Sequence, residues 1–500
     1  MDGLLRISAL ISVFDFGVPS LMLPWAVLLE CCHQLLRPIG CQFMDFPGRR
    51  VILKISMPSV LSQRLFNLLV LLLVAIAALH SVHAQAFTSQ DRDRVRGMLD
   101  VIKGDIKKNY YDPAFHGIDI DARFKAADEK IKSVNSLGQA YGVIAQALSE
   151  FNDSHLFFLP PPRPARADYG WQMQMFGDEC YVIAVKPGSD AEAQGLKASD
   201  RLLKVDGFAP TRDNIGKMRY RYYVLRPEPG IKVLAQTGKS EPRELALKAK
   251  IIQGKRRLDF TGMSGVADIE SVLRDIDKDD HLNRHRYVEM GDLLIWKMPH
   301  FDLSDDKVDD LMNKASKHKA LIIDLRGNGG GAETTLQRLL GNLFDHEVKI
   351  GDVKGRKETK PFIAKTRGRD VFKGELVVLI DSRSASASEV FARIVQLEKR
   401  GRVIGDHSSG AVMRSRGYDY EMGAGTIIGY GASITDADLI MTDGLSLEHT
   451  GVKPDEFLLP SAADLAAKHD PVLSRAASLV GVALSAEKAG TFFPIEWIKQ

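Results

Sequence analysis

The chain has 500 residues, 45% hydrophobic and 26% charged, with a formal net charge of +3. That length exceeds one compact core and predicts two or three domains. The composition is that of a globular protein. The near-balanced charge, without a basic block, excludes nucleic acid as a default partner.

Residues 1–56 carry an apolar stretch around Ser8 to Leu29, interrupted by Asp15, Pro19 and Pro24. They read as an extension ahead of the true start at Met57. From Met57 the chain has a positive charge at Arg64, an apolar run and then Val82-His83-Ala84. That order predicts a signal peptide over 57–84, cleaved after Ala84. Its apolar part is short, at roughly 15 residues against the ~20 that span a bilayer. Export to the periplasm or the outside is therefore expected, with no stable membrane span after cleavage; a retained anchor is the alternative. Cys31, Cys32 and Cys41 precede the cleavage point, which leaves Cys180 alone and without a disulfide partner. Tyr181, Val182 and Ile183 follow it, so it reads as a small apolar strand residue. No CxxC pair suggests zinc, and neither a metal nor a cofactor is expected.

Residues 85–163 read as a helical bundle. Phe124, Ala127, Ile131 and Val134 recur at three- and four-residue steps, and Ser136 fits an N-cap for the next helix. The bundle ends at Asp153-Ser154-His155, and Pro160, Pro161, Pro162 and Pro164 break the helical pattern and mark a linker. Residues 165–250 read as short strands and turns. The run PGSDAEAQGLKASDRLLKVDG within them resembles a PDZ domain, a family that binds extended peptides by edge pairing. Residues 251–284 read as a charged connector. From 285 to 475 the pattern is α/β, with buried strands LLIWKM, LIIDLR and ELVVLID and helices between them. Residues 476–500 form a C-terminal tail.

Two segments of the α/β region carry chemistry. In one, a strand runs into Ser382-Arg383-Ser384-Ala385-Ser386-Ala387-Ser388-Glu389 and then a helix. A serine at a helix start lies beside unpaired N–H groups and the positive dipole end, which favours an oxyanion. The same Ser386-to-Glu389 spacing also fits a capping box with no catalytic meaning. In the other, the buried strand from Leu321 ends in Gly327-Asn328-Gly329-Gly330-Gly331. Such a glycine run can turn its N–H groups into an anion nest. It formally fits a dinucleotide fingerprint, although a lone match in an exported chain is weak, and no Gly-Lys-Ser/Thr follows to make a P-loop.

These two segments, followed by RVIGDHSSG and by LEHTGVKPD, resemble the core of the tail-specific (carboxyl-terminal processing) proteases, peptidase family S41. The resemblance spans roughly Ser89 to Arg475. It implies an α/β (α+β) protein with a helical bundle, a PDZ-like domain and a mixed-sheet, crotonase-like serine protease core. It also implies a serine-type endopeptidase acting on extended or C-terminal protein segments, with Ser386 as nucleophile. The dyad branch of the family places a lysine directly after the last glycine of the 405–410 stretch. Here that residue is Ala411. The chain is closer to the tricorn-like branch, which draws a histidine base from the N-terminal helical region. His155 occupies that place, and Glu448 fits the supporting carboxylate. The implied oxyanion hole is Gly329 or Gly330 with Ala387. His407 and His449 are the rival bases, with His407 ranked second to His155. The alternative function is a non-catalytic peptide- or ligand-binding protein on the same scaffold.

Overall fold

Polar caps and apolar stripes account for the first helices of the computed structural model. It describes residues 87–163, 165–253, 284–423, 427–495 and 497. The extension, the expected signal peptide and nearly all of the 251–284 connector lie outside these. Thr88 and Asp91 cap one another through the Thr88 hydroxyl and the Asp91 carboxylate, which starts α1 (Ser89–Asn109). Asp119 and Ser136 each accept one N–H at the starts of α2 (Ile120–Ser133) and α3 (Leu137–Ser149). Val95, Leu99, Ile102, Phe124, Ile131 and Ile144 bury the shared face. Among the described residues no helix is long and apolar enough to cross a membrane.

The helical reading of residues 85–163 overshoots. α3 ends at Ser149. Residues 150–156 make a turn, and β1 (Phe157–Leu159) is a strand. β1 leaves the bundle and pairs antiparallel with β17 (Ile428–Met441), Phe158 opposite Ala432. This crossing carries His155 out of the bundle and onto a sheet of the α/β region.

A short ladder, β2 (Ala165–Asp168) on β8 (Lys250–Gln253), brackets a five-stranded antiparallel sheet. Its order is β3 (Trp171–Phe176), β4 (Glu179–Val185), β5 (Arg201–Val205), β6 (Gly230–Gln236) and β7 (Arg243–Lys248). α4 (Asp190–Ala193) and α5 (Arg212–Tyr220) complete this unit. β4 to β7 supply the short strands expected across 165–250, on runs such as Tyr181 to Val185 and Lys232 to Gln236, and β3 adds an edge strand to them. Cys180 lies buried on β4, and burial pushes its thiol up to about 12.

The main sheet runs β18 (Glu456–Phe457), β15 (Arg402–Gly405), β14 (Glu375–Ile380), β11 (Ala320–Asp324), β10 (Leu293–Lys297) and β9 (Arg286–Met290). Neighbours are parallel from β18 to β10, and β9 is antiparallel to β10. The buried strands are apolar on both faces, as a covered parallel sheet requires. Leu321, Ile323, Val378 and Val403 face α6 (Asp305–Ala315), α7 (Glu333–Gly341) and α8 (Ala387–Leu397). Ile322, Val377, Leu379 and Ile404 face α9 (Pro471–Leu479). The expected boundary at 475/476 falls inside this helix, so Ala476 and Ala477 belong to the core. A second sheet joins β1, β17, β12 (Val348–Gly355) and β13 (Thr359–Ala364), with β16 (Met413–Met422) also on β17.

Candidate active site

Adjacent parallel strands β11, β14 and β15 end side by side, so their outgoing loops converge at one sheet edge, where open α/β sheets bind ligands. The loop after β14 delivers Ser386 at φ 55° and ψ −120°. A non-glycine residue in such a conformation costs ~1–3 kcal/mol and persists only where its surroundings enforce it. Here Ser386 N–H donates to Ala411 O (2.9 Å) and to Glu389 Oε2 (3.0 Å). The buried Glu389 carboxylate also accepts from Ser408 Oγ, Gly410 N and Ala411 N at 2.5, 2.7 and 3.0 Å. Burial pushes it up to about 7 against the pull of those four donors. Glu389 does reach back to Ser386 as a capping residue would, and it also braces the serine turn against the 408–411 loop.

The loop after β11 brings the glycines against that turn. A Cβ on Gly330, at φ 97°, would lie 2.7 Å from Ser386 Cβ and 3.0 Å from Ala387 N. Only glycine allows this approach. Gly330 N–H donates to Asn328 Oδ1 (2.8 Å) and is therefore engaged. Asn328 O in turn accepts from Ala385 N and Ser388 Oγ, locking the two loops together. Ala387 N–H is the first of α8 and has no acceptor within its own helix. Beneath the loop, Arg326 forks onto Asp324 and Asp470, and Lys297 lies 3.1 Å from Asp324. Burial opposes the charge on Asp324, yet the two cations hold it well below the usual carboxylate range.

His155 is fully buried in the turn before β1. Asp153 Oδ1 accepts from His155 N (2.9 Å) and Thr435 Oγ1 (2.7 Å), and its other oxygen accepts from Tyr110 O–H. The turn is thus tied to β17 and α1. Ser154 Oγ lies 2.7 Å from His155 Nδ1 and donates to Glu448 Oε2 (2.9 Å). Glu448 also accepts Ser154 N–H (2.9 Å) and Val412 N–H (2.8 Å). Burial pushes Glu448 up to about 7 and pushes the His155 imidazole down to about 3. His155 Nε2 has no partner, so no bond to the Ser386 hydroxyl is formed here. Consecutive residues link the two halves: Ala411 O holds Ser386, and Val412 N–H holds Glu448.

The five-stranded unit touches the same loops. Gln174 Nε2 donates to Asp381 (2.7 Å), Gly177 N–H to Asp406 (2.9 Å), and Arg212 reaches Asp406 (2.6 Å) and His407 O (3.1 Å). The His407 ring packs edgewise on Phe457, 5.6 Å between centroids.

Residues 292–457 match the profile of peptidase family S41. The chain is a serine-type, S41-like peptidase. The carboxy-terminal processing protease CtpA of Bacillus subtilis (strain 168) is 22% identical over 383 residues, covering 74% of this chain and 73% of that one. The tail-specific protease of Haemophilus influenzae (strain ATCC 51907 / DSM 11121 / KW20 / Rd) is 28% identical over 266 residues, covering 50% of this chain and 34% of that one. The crystal structure of mature CPAF shares the fold, with TM-score 0.56 and 15% identity over 76% of this chain and 95% of that one. This S41-like peptidase carries Ala411 where the resemblance to the dyad branch places a lysine, with its peptide against Ser386. Sequence reasoning missed Ser154 and Asn328, and it took Glu389 only as a helix cap. The Ser154-His155 adjacency was the available signal for the first.

Proposed function

We propose that this S41 peptidase is an endopeptidase that cuts extended or C-terminal protein segments with Ser386 as nucleophile and His155 as general base. The observation that carries the proposal is the run from Glu448 through Ser154 to His155. An ionised carboxylate only accepts, so Ser154 O–H points to Glu448, and the Ser154 oxygen takes the Nδ1–H of the imidazole. That tautomer leaves Nε2 as a bare acceptor, the form a base must have. The low value of buried His155 keeps it neutral at physiological pH.

In the proposed reaction Ser386 Oγ attacks the scissile carbonyl and passes its proton to Nε2, closing a hydrogen bond absent in the resting state. Glu448, through Ser154, steadies the imidazolium. The oxyanion lies on the Gly329 and Ala387 N–H groups, while Gly330 supplies the close approach. Nε2 then protonates the leaving amine, and water repeats the sequence on the acyl-enzyme. The strained Ser386 backbone and the glycine contact support this assignment. His407, packed on Phe457, is the weaker base candidate. The five-stranded unit is proposed to capture peptide as PDZ domains do, and export through the 57–84 segment belongs to the same reading. The test is labelling by a serine-directed phosphonate, with the adduct mapped by mass spectrometry. The expected adduct is on Ser386 and is lost in Ser386→Ala. Labelling that persists in that variant overturns the assignment.

A further inference from the structure

An open cleft, with about 410 Å³ of empty space that includes its share of bulk solvent, lies beside Ser386 and Ala387, against α7 and the start of β16. Its walls are apolar, from Leu336, Val353, Phe362, Val390 and Leu439. Three ionisable side chains join them, and they differ in their partners. Arg414 is forked onto Asp436 at 2.8 and 3.3 Å, which takes up its charge. Asp438 accepts Ser446 O–H at 2.8 Å. Glu333, the first residue of α7, makes no hydrogen bond or ion pair among the described residues, although it is half-buried.

We propose that this cavity receives the side chain on the acyl side of the cut bond and that Glu333 selects lysine there. The proposal rests on Ser386 being the nucleophile. A lysine brings four methylenes, which lie along apolar walls, and a compact ammonium that pairs with a carboxylate. A carboxylate withdrawn from water without a counter-charge is costly, and a bound ammonium offsets that cost. Burial already raises the Glu333 carboxyl above its ordinary range, with Arg414, itself forked onto Asp436, pulling it down and Asp436 pushing it up. A purely apolar side chain would fill the walls but leave this carboxylate uncompensated.

The experiment compares two peptides that differ only at the residue before the cut, lysine against norleucine, which keeps the stem and lacks the charge. Wild-type kcat/KM is expected to favour lysine by about tenfold or more, the scale of one specific pocket contact. In Glu333→Gln the lysine-to-norleucine ratio is expected to fall at least tenfold. In Glu333→Lys the preference is expected to turn to glutamate. Phosphonate labelling of Ser386 reports that each variant keeps its site, and the wild-type ratio decides alone if a variant loses it. A wild-type preference for norleucine, or a lysine preference that survives Glu333→Gln, overturns the pocket assignment while Ser386 labelling stays intact. Absence of labelling in the wild type overturns the nucleophile assignment and the pocket with it.

Discussion

The serine half and the histidine half of the proposed site are built differently. Ser386 and the glycines lie on loops leaving neighbouring strands of one sheet, and they interlock through direct backbone contacts. His155 arrives from the bundle, and Ser154 ties it to Glu448 through its amide and its hydroxyl. The first half is fixed by local chain geometry. The second exists only once distant parts of the chain have met. Loss of the serine half should therefore be close to all-or-none, whereas the histidine half should fail in graded steps.

The largest effect is expected for Ser386→Ala, a fall in kcat on the order of 10^6-fold. His155→Ala should approach it, at ~10^4-fold or more, while His407→Ala should stay within ~10-fold. Steady-state kinetics on one peptide checks all three, and the reverse order for the two histidines would move the base to His407. Gly330→Ala should cost ~10²-fold in kcat, since the new methyl would displace Ser386 by a fraction of an ångström. It should also lower the denaturant midpoint, because its backbone is at positive φ. An unchanged rate would mean that the glycine loop does not position the serine.

The smallest effects concern the relay. Ser154→Ala is expected to cost ~10–100-fold in kcat with little change in KM. Activity should need ionised Glu448, so kcat/KM should rise with pH on a limb near pH 7 and be lost below it. Glu448→Gln should flatten that limb, which a pH profile of both proteins measures. Stability carries the opposite sign for this group. Its folded value is raised above the ordinary 4.5, so the folded state gains stability as pH falls from 7 toward 4.5. His155 opposes it, since a depressed histidine loses stability as pH falls from 6.5 toward 3.

The same division explains what the sequence revealed. The stretches Ala320 to Ile323 and Leu376 to Ile380 are continuous apolar runs, and they are buried on both faces as such runs require. Ser386, Gly330 and Ala387 could be read together because each lies within a few residues of a strand or helix end. The dual part of Glu389 could not, because its bonds to Ser408, Gly410 and Ala411 exist only in the folded loop. The helical pattern runs on past Ser149 because Phe157, Phe158 and Leu159 form an apolar stretch that suits a helix or a buried strand equally. Only the partner strand β17 decides between them. Asn328 reads in the sequence as part of a glycine run, although its side chain occupies one of that run's amides.

The hydrogen bonds from Ser154 to Glu448 close a loop of 294 residues. Contacts of such separation carry a loop-closure cost that slows folding. A chain emerging from the ribosome, or threading through any pore, would present its histidine long before the carboxylate that orients it. Under the proposed mechanism, proteolytic competence is expected only after these distant segments have met, at the end of maturation.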